Sequence, residues 1–193
     1  AAIPGQRDGD VPARLFGGVF QRYCAPLMRT VVIGPPDDRQ KRLGEAALAT
    51  LERLYAAVKP GRSVRDVARE TAQGYAHLRG EIQTRGYHAY SVGISFPPVW
   101  VEHSLGIRDD ADDILRPGMT FHTPRSLRVP GQLAMGYSET ILVTDSGCEA
   151  LTRRHQRDRV TVGRGIGDEF VAEKAAGAGF VLDHDRFAEF PLH

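Results

Sequence analysis

A chain of 193 residues with 41% hydrophobic and 25% charged residues has enough apolar side chains for one domain with a core, and no apolar run approaches the ~20 residues of a bilayer-spanning helix. Lys and Arg number 25 against 24 Asp and Glu, and the resulting charge of +1 gives no basic field for nucleic acid or an anionic membrane. Two cysteines, Cys24 and Cys148, are too few for a disulfide framework, and the first residues do not read as a signal peptide, so a reducing cytoplasm is the expected location.

The opening residues lack an initiator Met and run into a strand-like segment, as expected of a fragment or processed chain. Between residues 14 and 34, the runs Leu15-Phe16-Gly17-Gly18-Val19-Phe20 and Arg29-Thr30-Val31-Val32-Ile33-Gly34 predict an antiparallel strand pair joined by a polar, Pro-containing stretch. Pro35-Pro36-Asp37-Asp38 stops the second strand and offers an N-cap to a helix with Leu43, Ala47, Leu51, Leu54 and Val58 on one face. Pro60-Gly61 ends it. Ser63 and Asp66 form a capping-box-like start for a second helix carrying Val64, Val67, Ala68, Thr71, Ala72 and Tyr75, with Gly80 as its expected close.

Beyond Tyr87, strands predominate. Tyr90 to Ile94 reads as a short strand, and Pro97-Pro98 leads into a loop through Trp100, Glu102 and His103, a place for site chemistry. A turn at Leu115-Arg116-Pro117-Gly118 precedes a strand over residues 119–123, and residues 138–144 form the clearest strand, closed by Asp145-Ser146-Gly147. A strand pair, two helices and then a run of strands predict an α+β fold built on an antiparallel sheet. Residues 154–193 read as a separate basic, Gly-containing extension to a domain over residues 1–153. Within it, Gly163-Arg164-Gly165-Ile166-Gly167 lacks the firm strand before it that a dinucleotide fingerprint needs, and reads as a linker.

Three blocks together resemble the creatinase and peptidase M24 family: Phe16 to Thr30, Leu115-Arg116-Pro117-Gly118-Met119-Thr120-Phe121, and Ser138-Glu139-Thr140-Ile141-Leu142-Val143-Thr144. The likeness covers roughly residues 13 to 153. It implies a partial pita-bread fold, a curved antiparallel sheet with helices on its outer face. Metallopeptidase members of this family hold two metal ions with Asp, Asp, His, Glu and Glu, because hard carboxylates and an imidazole suit a pair of divalent ions. By the resemblance those positions fall at Leu15, Pro26, about Tyr90, Pro124 and Ser138. Leucine and proline side chains cannot ligate a metal, and no HExxH motif or close His pair replaces the set. No metal and no cofactor are therefore expected.

The departure is similar to the metal-free branch, creatinase and ectoine-hydrolase-like enzymes, in which carboxylates and a histidine take over. The resemblance implies Glu102, His122 and Glu139 as catalytic residues with His103 in reserve, and Trp100, Tyr90 and Ser138 as substrate-binding residues. Carboxylates activate water or attack an amidine carbon, and histidine moves protons near neutral pH. Each has a plainer reading. His122, between Phe121 and Thr123, fits a satisfied core histidine; Glu139 fits a residue at a strand entrance; His103 fits a surface histidine; Glu102 fits a solvated loop carboxylate unless Trp100 and Pro97-Pro98 form a dry wall beside it. Cys24 has no nearby His in sequence and reads as a small buried thiol, and Arg29 as a structural ion-pair partner.

The resulting expectation is a metal-independent hydrolase of an amide or amidine C–N bond in a small nitrogenous compound, homodimeric in the parent protein. An Xaa-Pro aminopeptidase or dipeptidase, and an inactive pita-bread binding module, are the alternatives.

Overall fold

In the computed structural model the described residues are 10–11, 13–96, 99–102, 104–152 and 161–163. Two strands, β1 (Ala13–Phe20) and β2 (Tyr23–Ile33), pair antiparallel along their whole length, with Ala13 opposite Thr30 and Phe20 opposite Tyr23. The polar stretch read as a connector is part of the strands: Cys24 to Met28 are all paired, and the turn is only Gln21-Arg22, both at positive φ. Such a two-residue turn matches the right-handed twist of its strands, which offsets the strain of two non-glycine residues in the left-handed region.

Helix α1 (Asp38–Ala57) starts where Asp37 caps it: the carboxylate accepts from the Gln40 backbone and the Gln40 side chain accepts from the Asp37 backbone, completing a capping box. Ser63 caps α2 (Val64–Ala72) through the Asp66 backbone. The second helix is shorter than the periodicity predicts. After Ala72 the chain tightens into a 3₁₀ segment, Gln73–Leu78, which lays Gly74 against α1; a Cβ there would lie 2.6 Å from Thr50 Cα. Gly80, at φ +88°, follows this segment.

The remaining strands are β3 (Ala89–Ser91), β4 (Gly106–Ile107), β5 (Thr120–His122), β6 (Arg125–Val129), β7 (Leu133–Tyr137), β8 (Thr140–Val143), β9 (Cys148–Ala150) and β10 (Thr161–Gly163). A five-stranded antiparallel sheet runs β4-β3-β5-β8-β9, and β6-β7 is a hairpin. The Pro130-Gly131 turn of that hairpin, with Gly131 at φ +69°, was its sequence signal. Single bridges from Tyr23 to Ile94 and from Met28 to Ser138 tie the β1-β2 hairpin to the rest.

Strand β10 joins the other edge of β2 in parallel, Thr161 opposite Val31, so residues 161–163 of the extension form a strand. The other glycines of that run lie outside the described residues.

Alternation within the five-stranded sheet decides what faces what. Tyr90 stands opposite His122 and His122 opposite Thr140, while Ser91 stands opposite Phe121 and Phe121 opposite Ile141. Phe121 and Ile141 of the second set pack with Ala89, Ile107 and Val143 onto Leu54, Ala57 and Val58 of α1 and Val64, Val67 and Ala68 of α2. Leu43, Ala46, Ala47 and Leu51 of α1 cover the β6-β7 hairpin through Leu127, Val129 and Met135. The antiparallel sheet with helices along one face is the expected α+β, pita-bread-like arrangement.

Candidate functional site

The first set, on the other face of the same sheet, is polar and turned toward the β1-β2 hairpin: Thr140 Oγ1 donates to the Pro26 carbonyl at 2.8 Å. There the side chains form a continuous chain. The Trp100 indole Nε1 donates to Tyr90 Oη at 3.0 Å, Tyr90 Oη lies 2.6 Å from His122 Nδ1, and His122 Nε2 lies 2.5 Å from Ser138 Oγ. The Tyr90 and His122 rings meet edge to face, centroids 5.1 Å apart. Burial pushes His122 down to about 3, so its ring is neutral, and burial raises the Tyr90 phenol against a smaller lowering by the Trp100 hydrogen bond. Four of the seven residues singled out in the sequence, Trp100, Tyr90, His122 and Ser138, are thus brought together.

Glu139 is not with them. Its side chain leaves the strand on the other side from Ser138, where Oε1 meets Arg29 Nη2 at 2.6 Å and Oε2 accepts from Thr152 Oγ1 at 2.5 Å. Arg29 Nη1 also donates to the Ser138 carbonyl at 2.8 Å. Glu139 is 7% exposed and bound to these groups. Arg29 is the ion-pair partner that the sequence suggests.

Glu102 lies across the sheet, on the side of Ser91. It lines a cleft of about 570 Å³ together with Ser91, Gly93, Ser104, Arg116 and Thr120. Ser104 Oγ donates to Glu102 Oε2 at 2.9 Å, and Ser91 Oγ lies 2.9 Å from Ser104 Oγ. The Glu102 backbone N–H donates to the Ser91 carbonyl at 3.2 Å. Gly93 makes room for the carboxylate, because a Cβ there would lie 2.6 Å from Glu102 Oε1. Glu102 is exposed. Its proline neighbours Pro97 and Pro98, and His103, lie outside the described residues. Ser91, Ser104 and Gly93, which the structure adds to this site, carry no signal in the sequence beyond closeness in number to Glu102.

The family model for metallopeptidase family M24 matches residues 5–145. The chain belongs to that family. It is 37% identical over 146 residues to ectoine hydrolase of Halomonas elongata, covering 75% of this chain and 36% of the relative. It is 25% identical over 148 residues to Xaa-Pro dipeptidase of Pyrococcus furiosus, covering 75% of this chain and 40% of the relative. Among solved structures, dipeptidase PepE of Mycobacterium ulcerans superposes with a TM-score of 0.72 at 20% identity, over 82% of this chain and 41% of that one. The chain therefore spans about two fifths of the length of these relatives, and the structural likeness speaks for the fold.

A pair of metal ions, implied by the family description, does not fit the residues present. At the positions where the resemblance puts the ligands, Leu15 and Pro26 have no donor on their side chains, and the Tyr90 and Ser138 hydroxyls are engaged by His122. Among the described residues no three of His, Cys, Asp and Glu are grouped to hold a metal ion. Among them also, no helix is long and apolar enough to cross a membrane.

Proposed function

We propose that the chain serves a metal-independent hydrolase of an amide or amidine C–N bond in a small nitrogenous compound bound in the Glu102 cleft. The observation that carries this reading is the cleft itself: a carboxylate held by Ser104, fitted over Gly93 and open to a ligand-sized space. The ionised carboxylate takes a proton from water, the water oxygen attacks the amidine carbon, the C–N bond breaks, and the proton passes from Glu102 to the leaving nitrogen. In direct attack by the carboxylate oxygen on the same carbon, the C–N bond breaks as the leaving nitrogen takes a proton from water, and the hydroxide so formed cleaves the anhydride-type intermediate and frees Glu102. The 37% identity to an ectoine hydrolase supports the substrate class.

A second reading is an Xaa-Pro dipeptidase-like protein, or a pita-bread module that binds such a molecule without cleaving it. It has the broader support from the comparisons, since a Xaa-Pro dipeptidase and a dipeptidase structure are among the likenesses. It also agrees with the separation of Glu102, His122 and Glu139 into three places. Hydrolysis of ectoine and of an Xaa-Pro dipeptide, each followed with and without chelator, separates the two. Chelator-resistant cleavage of ectoine supports the first; cleavage of the dipeptide alone, or binding with no cleavage of either, supports the second.

A further inference from the structure

Along the chain of Trp100, Tyr90, His122 and Ser138, the indole N–H only donates, so Trp100 donates to the Tyr90 oxygen, while the directions of the Tyr90–His122 and His122–Ser138 bonds follow the imidazole tautomer. His122 and Ser138 are fully buried, and neither they nor Tyr90 nor Trp100 lines the cleft.

The chain ends instead on the loop that does. Trp100 is two residues from Glu102, and its indole lies between the Tyr90 hydroxyl and the backbone of β1, where a Cβ on Gly17 would come within 3.4 Å of Cε3. The loop has a second fastening at its other end, the Glu102 N–H on the Ser91 carbonyl, and Ser91 is the next residue after Tyr90. Strand β3 thus holds the loop at two successive residues, Tyr90 through its hydroxyl on the indole and Ser91 through its backbone carbonyl.

We propose that Tyr90, oriented by His122 and Ser138, is a positioning residue that anchors Trp100 and so sets where Glu102 stands along the cleft. This rests on the reading of Glu102 given above, but the anchoring can be measured without turnover because Trp100 is the single tryptophan of the chain. Its one indole N–H resonance is expected to exchange slowly with solvent in the 193-residue chain. In Tyr90→Phe the same proton exchanges faster and Trp100 fluorescence becomes more accessible to acrylamide, while thermal unfolding stays cooperative. With ectoine as substrate, Tyr90→Phe lowers kcat about tenfold, the effect of roughly one hydrogen bond, with KM less affected. An indole proton that exchanges at the free rate in the parent chain overturns the anchoring, as does a folded Tyr90→Phe variant with unchanged Trp100 quenching. If the parent chain turns over no substrate while the indole is protected, the anchoring stands and the hydrolase reading fails.

Discussion

Arg29 and Glu139 join strand β2 to the entrance of β8 through a 2.6 Å ion pair, with the same guanidinium donating to the Ser138 carbonyl. The carboxylate is 9% and the guanidinium 18% exposed at the side chain, so neither charge is well hydrated. Removing one partner strands the other. Arg29→Ala is expected to cost about 3 kcal/mol in urea unfolding, and Glu139→Gln somewhat less because the amide still accepts from Thr152. Neither change should alter the chemistry at Glu102; a Glu139→Gln protein of normal stability and no turnover would return Glu139 to the catalytic set.

Glu102→Gln removes the proposed base from an exposed position and should abolish turnover without changing the unfolding midpoint. Gly93→Ala is the sharper companion. The new methyl would sit 2.6 Å from Glu102 Oε1, and the flexible carboxylate moves aside at little cost to the fold. The expected result is near-normal stability with activity down about a hundredfold, measured at saturating substrate.

Two buried histidines make the fold acid-sensitive. Burial pushes His122 down to about 3, and burial with the neighbouring Arg125 guanidinium does the same to His88. Between the ordinary value of 6.5 and about 3 the unfolded chain binds protons that the folded chain does not. The stability tied to neutral rings is therefore complete above pH 6.5 and is lost as the pH falls. From pH 6.5 to 5 each ring should account for about 2 kcal/mol of lost stability. Urea midpoints of parent and His122→Gln at the two pH values check this: the variant's loss should be smaller by about that amount.

Gly74→Ala tests the packing of the 3₁₀ segment on α1. The added Cβ would meet the Thr50 backbone, 2.6 Å from Cα and 2.9 Å from N, where nothing flexible can yield. A loss of about 3 kcal/mol in thermal or urea unfolding is expected.

Much of the fold was legible because its signals were local. Asp37 and Ser63 are capping residues by type, and Leu43, Ala47, Leu51 and Leu54 repeat with the helical period and are all buried. The β1-β2 strands were read too short because Pro26 looked like a break, yet it is paired opposite Gly17. The β6-β7 hairpin was missed where polar Arg125, Ser126 and Arg128 mask Leu127 and Val129. At the site, the resemblance brought together Trp100, Tyr90, His122 and Ser138, but which way each side chain faces depends on strand register. One residue of alternation sends Ser138 to His122 and Glu139 to Arg29, and places Ser91 on the cleft side while Tyr90 is on the other. Spacing along the chain does not report that.

The most direct test is cleavage of ectoine by the 193-residue chain after exhaustive treatment with a divalent-metal chelator, run beside Glu102→Gln. The account predicts that the chelated parent opens the amidine ring at its untreated rate and that the glutamine variant does not. Activity that disappears with the chelator and returns with manganese, zinc or cobalt, or that survives in Glu102→Gln, would contradict it.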